Sequence, residues 1–383
     1  MVKEEIVLPD QLLPGSISKR YHFFLPESGD THKEIPMPHT ETESAVLSFA
    51  KQRPVLTFLL INFAWTWLFW LLAIPFGNCS DLLVNVMVII GGFGPALAGV
   101  ITLGMRSDEK FGFSARQWIT FLLASGLIFG VISLRYRAGN IAGFSTLAED
   151  LTLSWPIVAA AVFASLVGGW VISSAVSEIQ GIRERMASIL PWRAAPGWTL
   201  FGILFYPALI LLAWGLGSLL GLGVEFPALW NSSLREVLPL YLLTFAVTFL
   251  VQGGNEEPGW RGFMQPELQR TRSPLVSALI VAVFWSLWHL PLYLNGFYPG
   301  SLVGGMISGF IFRVLLSIFL AWFYDRSKGN LFAVIFLHAS FNMIVNYLPT
   351  SDAGLTILWI LIAAILVVLG KMYRKPSAQG GTA

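Results

Sequence analysis

Charge is scarce in this chain. Only 12% of its 383 residues are Asp, Glu, Lys or Arg, about half the share of an ordinary soluble domain. That excludes a solvated globular surface wrapped around one core. Cysteine is limited to Cys79, which excludes an internal disulfide and any cysteine-based zinc cluster. Histidine numbers five, and His22, His32 and His39 fall in a polar N-terminal stretch. The opening residues show no short apolar region leading to a small-residue cleavage site, so they do not read as a cleaved signal peptide.

What is abundant is apolar. Hydrophobic residues make up 55% of the chain, tryptophan occurs fifteen times, and the mean hydropathy is +0.68. A spanning helix needs about 20 mostly apolar residues. Ten segments qualify, near 56–75, 83–104, 117–134, 153–176, 198–222, 236–253, 274–293, 301–323, 330–348 and 354–371. Lys and Arg test this division independently. Twenty of the 24 lie in the two termini and in the loops near 105–116, 177–197, 254–273 and 324–329, whereas the alternate loops hold three. Basic residues favour the cytoplasmic side, so both termini are expected there. The expected fold is an all-α, polytopic membrane bundle of about ten helices.

Four regions are expected. Residues 1–54 read as a mostly disordered cytoplasmic tail, 55–235 as N-terminal membrane helices, 236–350 as the chemical core, and 351–383 as a last helix with a flexible end. No fixed-period repeat stands out. Small residues such as Gly91, Gly92, Gly94, Gly304, Gly305 and Gly309 fit close helix packing.

Ionisable groups inside a bilayer are costly and therefore point to function. Three clusters stand out. In NEEPGWRGF, Pro258 suits the first turn of a helix, and Glu257 and Arg261 are spaced i, i+4 in the favourable order for an ion pair. Glu256 lacks that partner, which suggests Glu256 for proton transfer and Glu257 for structure. A solvated loop is the competing reading. In FWSLWHLP, Trp285 and His289 share a helix face, and Pro291 should bend or end that helix. In HASFN, His338 and Asn342 form a polar patch that needs a partner, water or a cavity. All three lie within residues 256–342. Brought around one wet cavity, Glu256, His289, His338 and Asn342 supply a base, imidazoles and an amide donor for water activation and oxyanion stabilisation. Arg313 sits mid-span and is expected to face the interior and seek a carboxylate or a carbonyl, with Glu256, Glu257 and Glu236 as the candidate partners.

At these residues the chain resembles the CPBP family of intramembrane proteases, which includes type 2 CAAX prenyl endopeptidases and bacterial relatives linked to bacteriocin processing and immunity. Its EExxxR motif matches Glu256, Glu257 and Arg261. Its aromatic-xxx-His motif matches Trp285 and His289, with Phe284 one residue too early for the usual phenylalanine. Its HxxxN motif matches His338 and Asn342. The words EEPGWRGF and WHLP are similar to bacterial members. The resemblance covers roughly 236–350. GFGPALAGV (92–100) is similar to an early family helix, and residues 182–198 to its basic linker, leaving an inserted helical pair near 105–180.

The resemblance implies an intramembrane protease of a bacterial plasma membrane that cleaves a membrane-associated peptide or protein. Glu256 and His289 would activate water, and His338 and Asn342 would hold the oxyanion, with Glu257, Arg261 and Trp285 in support. No cofactor is required by that chemistry. Zinc on Glu256, His289 and His338 is the alternative. Prenylated substrates are a family theme, although no residue here marks a prenyl pocket. No nucleic-acid partner is expected, and the oligomeric state is not encoded legibly. Two other classes compete: a non-catalytic peptide-binding or immunity protein, and an ion-coupled transporter, which would favour an inverted repeat that the sequence does not show.

Overall fold

Apolar runs in hydrocarbon must satisfy their own backbone groups, and a helix does so within one segment. A computed structural model of the chain describes residues 44–375 apart from 78–80, 111, 142–154, 191–195, 228, 299 and 345. The helices are α1 Ala45–Gln52, α2 Pro54–Leu72, α3 Asp81–Gly92, α4 Gly94–Met105, α5 Ala115–Ile141, α6 Trp155–Ser173, α7 Gln180–Met186 and α8 Pro196–Leu219. They continue as α9 Leu234–Gln269, α10 Pro274–Leu294, α11 Leu302–Arg326, α12 Leu331–Ile344 and α13 Asp352–Leu369. Among the described residues there is no strand, only the isolated bridge between Glu225 and Thr350.

Among the described residues, nine helical stretches are long and apolar enough to cross a membrane, with α3 and α4 forming one of them. The chain is a multi-pass membrane protein. The tenth expected span, near 330–348, is the short helix α12, whose 14 residues extend about 21 Å. That is less than the ~30 Å of hydrocarbon. The reason is burial: most of α12, including Leu331, Val334, Leu337 and His338, is enclosed by neighbouring helices. Its apolarity reflects protein packing, not lipid contact.

A second correction concerns α9. The expected span stopped at 253 and a loop followed. Instead the helix runs 36 residues to Gln269, about 54 Å. Pro258 therefore lies inside it. Two π-helical turns, Thr248–Gly253 and Trp260–Met264, flank the α-helical turn Gly254–Gly259. Such local widening lets a membrane helix absorb a proline and is frequent at functional sites. The end of the expected N-terminal tail lies within the described residues. Residues 45–52 are helical, with the Ser44 hydroxyl accepting from Leu47 N–H at 3.3 Å. His22, His32, His39, Cys79 and the expected flexible end at 376–383 lie outside the described residues.

Close backbone contacts fix the bundle around α9. A Cβ on Gly259 would overlap the Pro95 carbonyl of α4, and one on Gly253 would stand 2.8 Å from the Ile335 carbonyl of α12. Near its C-terminal end, Glu267 accepts from Arg106 at 3.0 Å, Arg185 at 3.3 Å and Arg270 at 3.2 Å. This clamp joins α9 to the end of α4 and to α7. Helices α5 and α6 pack on each other, with Ile128, Ile132, Ala161 and Ala164 in a cluster that also takes in Phe93 and Val251. Outward-facing Leu122, Leu123 and Leu127 on α5, and Ile360, Leu361 and Ile365 on α13, remain exposed. That is the surface expected against acyl chains.

Candidate active site

Three helices carry the site. The α-helical turn between the π segments of α9 presents Glu256 and Glu257. The C-terminal half of α10 presents Trp285 and His289. Helix α12 presents His338 and Asn342. All four ionisable side chains are buried, and none belongs to the solvated loop that the sequence allowed.

Glu257 and Arg261 are fully buried and paired at 3.0 Å, as their spacing predicted. The same Glu257 oxygen receives His338 Nδ1 at 2.5 Å. A carboxylate can only accept, so Nδ1 carries the hydrogen and Nε2 points away from Glu257. That Nε2 lies 3.9 Å from Glu256 Oε1. Glu257 thus orients a histidine, a role its ion pair alone did not reveal.

Trp285 is the hinge of the arrangement. Its indole N–H donates to Glu256 Oε2 at 2.7 Å. Its ring lies under the Arg261 guanidinium, 4.5 Å from the centroid, a cation–π contact. Its backbone carbonyl accepts from His289 Nδ1 at 2.7 Å, which leaves His289 Nε2 as the free nitrogen. The Trp285 ring also lies 6.0 Å from the His289 ring, and the Trp288 ring is nearer, edge-on at 4.7 Å. Phe284 points elsewhere, edge-to-face with Phe63 at 6.4 Å. Trp285 therefore occupies the aromatic position of the motif.

Asn342 is half-buried, and its Nδ2 donates to Gln252 Oε1 at 3.1 Å. Gln252 precedes Glu256 by one turn, and Asn342 follows His338 by one turn. The two helices thus form a polar ladder with an acid–imidazole rung and a carboxamide rung. Gln252 was not singled out from sequence, although its i, i+4 relation to Glu256 was available. Ser317, which accepts from Arg261 Nη2 at 3.4 Å, and Tyr298, whose ring stacks on His289 at 6.1 Å, were missed for a different reason. Nothing local marks them.

Arg313 departs from expectation. It is buried, yet among the described residues no carboxylate lies within ion-pair distance of it. Glu257 is held by Arg261 and His338. Glu236 closes the capping box of α9 with Ser233. Glu256 engages Trp285. The guanidinium instead adjoins the Tyr298 hydroxyl.

Zinc needs three or more donors converging at about 2 Å. Among the described residues no group of three or more His, Cys, Asp or Glu side chains is placed to hold a metal ion. Glu256, His289 and His338 are near neighbours around Trp285, but they do not form a coordination shell in this arrangement.

Residues 238–344 match the family model described as Type II CAAX prenyl endopeptidase Rce1-like. The matched stretch begins in α9 and ends with the last residue of α12, so it holds every residue of the ladder. The chain is also 29% identical over 182 residues to CAAX prenyl protease 2 of Methanococcus maripaludis, an alignment covering 44% of this chain and 65% of that relative. The chain therefore spans just under two thirds of that protein's length. Motif order, helix placement and the two similarities agree: residues 238–344 are similar to the Rce1-like CAAX prenyl endopeptidases.

Proposed function

We propose that the protein is an intramembrane endopeptidase that hydrolyses a peptide bond of a membrane-associated peptide or protein. One observation carries this reading: Glu256 Oε1 and His338 Nε2 face each other 3.9 Å apart. That is too long for a direct hydrogen bond and short enough for one water to bridge both at about 2.8 Å each. Glu256 is anchored on its other oxygen by Trp285, so the facing oxygen is the one available to a water.

In this mechanism Glu256 removes a proton from water, and the oxygen attacks the scissile carbonyl carbon. The resulting oxyanion is held by Asn342 and by the Nε2–H of His338 in its doubly protonated form. Collapse breaks the C–N bond, and the proton on Glu256 passes to the departing amine. His289, whose Nε2 is left free by its bond to the Trp285 carbonyl, is assigned to assist Glu256 in activating the water. Glu257, Arg261 and Trp285 position these groups. The residues supply a complete route without a metal ion, and no step is assigned to one. The similarity to CAAX prenyl endopeptidases makes prenylated CAAX peptides the first substrate class to try. The basic-residue bias favours the cytoplasmic side for the Glu267 end of α9.

The test uses the full chain in lipid nanodiscs with a fluorophore–quencher peptide, S-farnesylated or unmodified. Cleavage should survive a metal chelator and fall at least a hundredfold in Glu256→Gln, with unfolding unchanged. A Glu256→Gln protein that still cleaves at the native rate overturns the reading. Peptide binding without hydrolysis by the native chain would favour a sequestering protein, and pH-dependent ion flux into vesicles a transporter.

A further inference from the structure

Among the described residues, Arg313 is a buried cation with no resident anion. Its side chain is only 8% exposed, and Nη1 has no hydrogen-bond partner. Removing one member of a buried ion pair is among the costliest changes in a protein interior, and an intramembrane arginine normally finds a carboxylate. Here the three carboxylates that the sequence offered are committed elsewhere. Tyr298 does not replace them. Loss of water around its hydroxyl pushes the phenol up to about 12, against the pull of Arg313, so it stays neutral.

The surroundings keep this nitrogen bare. A Cβ on Gly309 would stand 2.5 Å from Arg313 Nη1 and 2.7 Å from the Tyr293 hydroxyl. A Cβ on Gly305 would overlap the Tyr293 ring, and the Tyr293 hydroxyl donates to the Gly305 carbonyl at 2.9 Å. Two glycines one turn apart therefore open the face of α11 on which Arg313 sits. One turn further, Ser317 touches Arg261. On the other side, Tyr298 links the guanidinium to the ring of His289. The unpaired nitrogen thus lies beside the hydrolytic groups, on the same wall.

We propose that Arg313 binds a carboxylate of the peptide being cleaved, so that the substrate supplies the missing counter-charge as it enters beside His289. The assignment rests on the proteolytic reading for the identity of the ligand. Its chemistry is that of a planar guanidinium, which matches a carboxylate with two parallel N–H···O bonds. The carboxylate is either the peptide's C-terminus or an acidic side chain near it.

Three dye-labelled, S-farnesylated peptides of one sequence separate these sources: a free acid, a C-terminal amide, and an amide ending in Asp. Binding to the Glu256→Gln chain in nanodiscs reads affinity without turnover, and KM and kcat are read on the native chain. The peptide that carries the recognised carboxylate should bind about ten- to a hundredfold more tightly than the plain amide. The advantage should vanish in Arg313→Gln, and Arg313→Lys should keep part of it. A free acid that outbinds both amides identifies the C-terminus as the source, and an Asp-amide that alone outbinds the other two identifies a side chain. Equal binding of all three peptides to the chain with Arg313 intact overturns the proposal without need of any Arg313 variant, as does a preference that survives Arg313→Gln. Carboxylate-dependent binding with no cleavage of any peptide would sink the protease reading alone.

Discussion

Replacing Arg261 by methionine probes the interior of the site most directly. Arg261 and Glu257 are both 0% exposed and 3.0 Å apart. Removing one partner of a buried pair costs about 3–5 kcal/mol, because the other charge is stranded. Glu257 would keep His338 as a neighbour. Its second oxygen already lacks a partner, so little else can compensate. The loss should fall near the lower end, about 3 kcal/mol. The double variant Glu257→Met/Arg261→Met strands no charge and should lose less than the two single variants summed, with a coupling of about 1–3 kcal/mol. Equilibrium unfolding in mixed micelles, followed by tryptophan fluorescence, measures all four corners of the cycle. Arg261→Met within about 0.5 kcal/mol of the native chain, the usual range of a surface substitution, would refute the claim that the pair is dry and ionised. The double variant should still be inactive, since His338 loses the carboxylate that orients it.

Trp285→Phe keeps a ring under Arg261 and removes the N–H bonded to Glu256. Hydrolysis should fall about ten- to a hundredfold at nearly unchanged stability, and a loss below twofold in kcat would contradict the positioning role. Gly259→Ala drives a methyl into the Pro95 carbonyl of α4 and should cost about 1–3 kcal/mol, read by the same unfolding assay. An unaffected midpoint would mean that α4 and α9 do not cross where the structure has them. Asn342→Ala should lower kcat by about 10²–10³ if the amide serves the oxyanion. Gln252→Ala should act less strongly and non-additively with it, because Gln252 only accepts from Asn342. Full additivity would show that the two carboxamides act separately.

Much of this protein was readable before any coordinates. Scarce charge and long apolar runs required a helical membrane bundle, because hydrocarbon leaves the backbone no other partner. The i, i+4 spacings of Glu257 with Arg261 and of Trp285 with His289 put those pairs within reach, since 3.6 residues per turn is a local rule. Local rules stop at helix ends and at contacts between helices. The run near 330–348 looked like a span because burial in protein and burial in lipid select the same residues. The turn around Pro258 looked like a helix start because composition does not reveal that π-helical segments carry α9 through it. That Glu257 orients His338, that Trp285 bridges Glu256 and His289, and that Arg313 is left without an anion depend on side chains up to 81 residues apart in the chain. Their meeting is set by how α4, α9, α10, α11 and α12 cross, at glycines where one backbone rests directly on another.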